Sequence, residues 1–181
     1  SGGAGVYRVA QGDEAVLPGA PDLALRRDRA ANGTGAQLLG FTRHDAPLSA
    51  LQPGDALVIA DADLTESDVA AVAKAAVTVV IGTAMPANLA KADILLPIAN
   101  VVEEEGTLTN LRGRVQRFLQ AKAAPGMARP SWYVLADLLN AMGEPANYFV
   151  AADVFGALAT AEPAFAGLSY DTLGLRGLPV V

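Results

Sequence analysis

There is no cysteine in this chain of 181 residues. Cysteine-ligated iron–sulfur clusters, disulfides and thiol nucleophiles are therefore excluded from it, because each needs sulfur as ligand or reactant. Histidine occurs once, as His44, within the polar segment Arg43-His44-Asp45-Ala46-Pro47. A transition-metal site without sulfur or a second imidazole would need an unusual set of carboxylates, so His44 reads as a loop residue rather than a ligand or base. Basic residues number 13 against 19 acidic ones, a formal net charge of −6. That is too few and too scattered to follow a phosphate backbone, and nucleic acid is not an expected partner. Long apolar runs are missing as well. The most hydrophobic stretch, 75–85, contains Thr78, Gly82 and Thr83 and falls far short of the roughly 20 residues that span a bilayer. The opening Ser-Gly-Gly-Ala-Gly lacks the charged and apolar regions of a leader; residues 1–5 are expected to lie outside the fold, as at a fragment boundary.

The chain is 52% hydrophobic, enough for one substantial core, and the expectation is a single α/β domain over 6–181 with an extended C-terminal tail. Residues 6–30 mix a short apolar stretch with Gly12, Pro18, Gly19, Pro21 and the basic run Arg26, Arg27 and Arg29, which reads as irregular structure. Asn32-Gly33-Thr34-Gly35 reads as a turn, because Gly and Asn tolerate positive φ. Its spacing is not that of a dinucleotide-binding glycine loop, and no strand precedes it.

From Gly54 onward the pattern becomes regular. Ala56-Leu57-Val58-Ile59-Ala60 is an unbroken apolar run of strand length, as expected of a strand buried on both faces of a parallel sheet. Thr65-Glu66-Ser67-Asp68 follows, a hydroxyl three residues ahead of an acid before an alanine-rich stretch, which is a helix start. Val77 to Ile81 is a second β-branched run, making a strand–helix–strand unit. A two-turn helix is expected at 85–91, strands at 93–96 and 114–119, and helices at 131–142, stopped by Gly143, and 148–160. Gly167, Gly174, Gly177 and Pro179 predict a tail that wraps the surface without packing. On continuity alone, Val58, Val79, Ile94 and Leu95 are expected to be buried together.

The polar residues collect in 92–116: Ala-Asp-Ile-Leu-Leu-Pro, then Val-Val-Glu-Glu-Glu-Gly-Thr-Leu-Thr-Asn, then Leu-Arg-Gly-Arg-Val-Gln. Open α/β sheets bind ligands just beyond strand ends. Glu103, Glu104 and Glu105 could share protons as paired acids; the preferred reading is an exposed acidic turn paired with Arg112 or Arg114, since consecutive side chains point in different directions. Gly106 reads as a sharp turn. Thr107, Thr109 and Asn110 supply groups that pin backbone or touch a ligand, with pinning preferred.

The pattern Ala-Asp-Ile-x-Leu-Pro, x-Glu-x-x-Gly-Thr-x-x-Asn, x-x-Gly-Arg-x-Gln resembles the molybdopterin oxidoreductase family. Within that family it is most similar to the C-terminal half of the large iron–sulfur subunit of bacterial NADH:quinone oxidoreductase, complex I. Thr83-Ala84, the segment Ala124-Pro125-Gly126-x-Ala128-Arg129-Pro130-x-Trp132-x-x-Leu135 and the terminal Gly167-Leu168-Ser169-Tyr170 with Leu173 and Gly174 extend the likeness. Arg112 departs from it, standing where many relatives carry an acid before Gly-Arg.

The resemblance implies a three-layer α/β sandwich with a mainly parallel sheet. It implies a non-catalytic scaffold domain without cofactor or metal, packed against the rest of the iron–sulfur subunit and other peripheral-arm subunits on the cytoplasmic side of the bacterial inner membrane. The iron–sulfur clusters would then lie in a separate N-terminal portion. The alternative it implies is the cofactor cleft of an active, formate dehydrogenase-like enzyme. Thr83, Gly106, Thr107, Asn110 and Arg114 would there face a molybdopterin guanine dinucleotide.

Overall fold

The computed structural model describes residues 5–8, 12–43, 48 and 51–180. Of the expectation for residues 1–5, positions 1–4 fall outside them, as does that for His44, whereas Gly5 belongs to the fold, its carbonyl accepting the Thr42 N–H at 3.1 Å. The centre of the molecule is a parallel sheet of β5 (Ala56–Ala60), β6 (Val77–Gly82) and β7 (Ile94–Pro97), in that spatial order. Helix α2 (Glu66–Val72) joins β5 to β6. Val72, with Leu89 from the next connection, packs on Ile59 and Val80 of one sheet face. Val134 and Leu138 of α3 (Ser131–Ala141) pack with Val79, Ile81, Leu96 and Ile98 on the other. Helix, sheet and helix make the expected three-layer α/β arrangement.

The ends of α2 follow from its sequence. Thr65 is the N-cap, and its backbone N–H and hydroxyl both donate to the Asp68 carboxylate, at 2.8 and 2.7 Å. Asp68 has no solvent exposure and also accepts from the Leu48 N–H at 3.1 Å and from both terminal guanidinium nitrogens of Arg8. The Arg8 guanidinium holds this carboxyl well below the usual carboxylate range, against burial, with Thr65 and Leu48 adding hydrogen bonds in the same direction. One buried acid thereby fastens β1 (Val6–Tyr7) to the central sheet's helix layer.

A second, antiparallel sheet has β9 (Arg114–Phe118) between β8 (Gly106–Thr109) and β10 (Leu178–Pro179). The strand expected at 114–119 therefore exists, but outside the parallel sheet. Behind it, α4 (Ala151–Ala161), a 3-10 turn (Pro163–Phe165) and α5 (Tyr170–Leu173) enclose a core of Val115, Phe155, Phe165, Tyr170 and Leu173. The tail is thus a packed element, contrary to the expectation. The glycines that argued for an extended tail supply positive φ between small packed pieces. Gly177, at φ 69°, lies so close that a Cβ would meet the Val115 carbonyl oxygen.

The N-terminal region is more regular than expected. β1 pairs in parallel with β4 (Thr42–Arg43), and β2 (Ala15–Leu17) forms a hairpin with β3 (Ala20–Leu25). Pro18 fixes one φ and Gly19, at φ 78°, supplies the left-handed position of that turn. The turn expected over Asn32 to Gly35 ends at Asn32: α1 (Gly33–Leu38) starts directly after it, with Asn32 at the N-cap position making no side-chain capping bond. Nor is 85–91 helical. Pro86 is buried, and Asn88 Nδ2 donates to the Leu64 carbonyl at 3.0 Å, which holds the segment as a turn against the neighbouring connection.

Burial corrects the four-residue expectation for the sheet. Val79 is 8% exposed, but Val58 and Leu95 are each 50% exposed and Ile94 is exposed too. Val58, Val79 and Ile94 stand side by side across the strands. The cluster under α3 contains Val79 and not its two neighbours. An unbroken apolar run signals that both faces of a strand are apolar; how far a helix covers the outer strands is a tertiary matter.

Candidate functional site

The C-terminal ends of β5 and β6 open on a hollow of about 110 Å³ lined by Ile59, Asp61, Ala62, Asp63, Val80, Thr83, Ala84, Met85 and Pro86. Asp61 directly follows β5. Its N–H donates to the Ile81 carbonyl at 2.8 Å, and its φ of 43° is the one left-handed non-glycine backbone among the described residues. Asp tolerates that region better than most side chains, and such positions gather at functional sites. Asp61 Oδ1 accepts the Thr83 N–H at 3.2 Å and the Thr83 hydroxyl at 3.0 Å, tying the two strand ends together. Asp61 and Asp63 are exposed and retain carboxylate oxygens able to accept hydrogen bonds. No basic side chain lines the hollow. It is suited to N–H and O–H donors and unsuited to phosphate, which would lie against like charge.

The three consecutive glutamates divide by direction, as expected, but not into an exposed turn paired with Arg112 or Arg114. Glu103 is buried, pairs with Lys122 Nζ at 3.0 Å and accepts the Asn100 N–H at 3.2 Å. Lys122 first, and then Asn100, hold its carboxyl below the ordinary value. Glu104 accepts the Ser131 N–H at 2.6 Å and its hydroxyl at 2.9 Å, placing a carboxylate at the N-terminus of α3. Glu105 makes no hydrogen bond or ion pair among the described residues.

Gly106 opens β8 opposite Phe118. It is there for close approach rather than for a turn, since a Cβ would sit 2.8 Å from the Phe118 ring. Asn110 holds the β8–β9 turn. Its Oδ1 accepts the N–H groups of Arg112 at 2.9 Å and Arg114 at 3.1 Å, and its Nδ2 donates to Gln116 Oε1 at 3.2 Å. Arg114 Nη1 donates to the Gly177 carbonyl at 2.6 Å. Asn110 and Arg114 both engage backbone groups. Thr107 differs: its hydroxyl forms no hydrogen bond among the described residues. With Gly106 it lines a second cavity of about 280 Å³, between β8, α3, α4 and Tyr170.

The five residues singled out from sequence are therefore not brought together. Thr83 stands at the first hollow, Gly106 and Thr107 at the second, and Asn110 and Arg114 at the hairpin turn. Sequence reasoning passed over Asp61 and Asp63, although Asp-Ala-Asp immediately after a strand-length apolar run marks the strand end where open sheets bind ligands. Trp132 and Tyr170 carry no local signal for a shared cavity, being far apart in the chain.

The family profile for molybdopterin oxidoreductase matches residues 29–141. The F420-dependent formate dehydrogenase 2 subunit alpha of Methanococcus maripaludis is 42% identical over 89 residues, covering 48% of this chain and 13% of that subunit. A putative formate dehydrogenase of Bacillus subtilis is 39% identical over 82 residues, covering 45% of this chain and 8% of that protein. A putative formate dehydrogenase of Staphylococcus aureus is 35% identical over 82 residues, with the same two shares. The chain thus spans a small fraction of these relatives' lengths. None of the three bears the complex I name that the sequence resemblance implied.

Proposed function

The chain belongs to the molybdopterin oxidoreductase family, and from that premise we propose that it is the cofactor-cleft α/β domain of a molybdopterin-dependent oxidoreductase of formate dehydrogenase type. The hollow at Asp61, Asp63 and Thr83 receives the nucleoside end of a molybdopterin guanine dinucleotide. The observation that carries this reading is the pair of carboxylates with open acceptor positions at the C-terminal ends of parallel strands. Carboxylates accept from the ring N–H and amino groups of guanine and from ribose hydroxyls, so the donor set fits that end of the group. It does not fit the diphosphate, which would bind outside this hollow. When bound, the molybdenum–pterin group supplies two-electron redox chemistry. Asp61 orients the nucleoside, Thr83 orients Asp61, and the apolar floor of Ile59 and Val80 limits water beneath it.

Equilibrium titration with guanosine monophosphate and adenosine monophosphate tests this. The guanine nucleotide is expected to bind more tightly, and Asp61→Asn to weaken it about tenfold, as for loss of one charge-assisted hydrogen bond. Equal affinity for both nucleotides, unchanged in Asp61→Asn, would overturn the reading.

A second reading, a scaffold domain of the peripheral arm of NADH:quinone oxidoreductase, is favoured by the engagement of Asn110 and Arg114 with their own backbone. Metal analysis and subunit composition of the native parent complex separate the two. Molybdenum supports the first reading; its absence together with NADH:quinone oxidoreductase partners supports the second.

A further inference from the structure

The larger cavity is chemically unlike the first hollow and independent of it. Four aromatic residues, Phe118, Trp132, Phe155 and Tyr170, line it together with Leu108, Val154 and Leu158. Its charged lining groups are Glu104 and Glu105, with no basic residue among them. Glu104 is engaged by Ser131, whereas Glu105 has no partner among the described residues. We infer that this cavity is a binding site for an organic cation, an alkylammonium or guanidinium group, held by the aromatic walls and the Glu105 carboxylate.

Three observations support the assignment. Aromatic faces attract cations through their quadrupoles, most strongly where water is excluded. The fold already uses this attraction here, with the Arg117 guanidinium 4.2 Å from the Tyr170 ring centre. Both charged residues that line the cavity, Glu104 and Glu105, are acidic. The Tyr170 phenol is pushed up first by burial and then by the charge of Glu105, with Arg117 opposing and Glu104 adding to it. Finally, no basic residue lines the cavity, so a carboxylate or phosphate ligand would face Glu105 and is disfavoured. At about 280 Å³ the cavity lies near the lower end of small-ligand sites.

Such a group could arrive on a free amino alcohol or as a lysine side chain of a protein segment, and two probes distinguish them: choline and N-acetyl-lysine amide. Trp132 is the chain's single tryptophan, so its fluorescence reports on this cavity alone. A saturable emission change is expected with at least one probe at about 1 mM, in the range of weak specific binding. The neutral carbon isostere of choline should give no such change. Glu105→Gln should weaken binding about tenfold, the loss of one charge-assisted contact, while its melting temperature stays within a degree or two because Glu105 holds no other group. Saturation by choline alone assigns a free amine, and saturation by the lysine amide alone assigns a protein side chain. No saturable response to either probe, an equal response to the neutral isostere, or unchanged affinity in Glu105→Gln would overturn the inference.

Discussion

Asn32 Oδ1 accepts the backbone N–H of Thr109 at 2.7 Å, joining the start of α1 to the end of β8 across 77 positions of sequence. Thr109 is buried, so this donor has no water to fall back on. Asn32→Ala is expected to lower stability by about 1 to 3 kcal/mol, the cost of stranding a buried donor. Gly35→Ala should do similar damage, since a Cβ there would press on the Asn32 side chain. Urea denaturation of both variants checks this, and a midpoint unchanged in Asn32→Ala would show that the bond contributes nothing.

Asp68 makes stability depend on pH in one direction. Its folded carboxyl lies below the unfolded value because of Arg8, so its contribution is fully present above about pH 4, the unfolded pKa. That contribution fades as the pH falls further. Asp68→Asn should lower stability at pH 7 by about 3 kcal/mol, as when one partner of a buried pair is removed, and flatten the acid limb. Denaturation midpoints of both proteins between neutral and acid pH test it; parallel acid limbs would refute it.

Ile81 and Leu95 separate apolar sequence from actual core. Ile81 is 1% exposed, and Ile81→Ala should cost about 2 to 5 kcal/mol through lost burial and a cavity. Leu95 is half exposed, and Leu95→Ala should cost about 1 kcal/mol or less. Similar losses in the two variants would indicate that Leu95 is covered in solution.

Thr107 and Asn110 should also respond differently. Asn110→Leu removes three hydrogen bonds at the β8–β9 turn and is expected to cost about 1 kcal/mol, modest because these groups reach water. Thr107→Val deletes a hydroxyl without a partner among the described residues and should leave the melting temperature nearly unchanged. A large loss in Thr107→Val would show an internal role for that hydroxyl.

The sequence by itself determined the elements whose causes are local. β5, α2 with its Thr65–Asp68 capping box, β6, β7, α3 with its Gly143 stop and α4 were all legible from apolar runs, caps and breakers, and so was the layered α/β class. The motif at 92–116 led to the family. Only the tertiary structure decided the rest, because the deciding contacts are long-range. Asn32, expected in a turn, stands at the N-cap of α1 and accepts a hydrogen bond from Thr109. The glycine-rich tail became core through Phe165, Tyr170 and Leu173 packing on β9. Val58 and Leu95 stayed half exposed although equally apolar, while Ile59 under α2 and Val79 under α3 were covered, because the helices cover the outer strands only in part. The candidate sites follow the same division. Asp61 was readable as a strand-end acid, whereas the cavity shared by Glu105, Trp132 and Tyr170 exists only once β8, α3 and α5 converge.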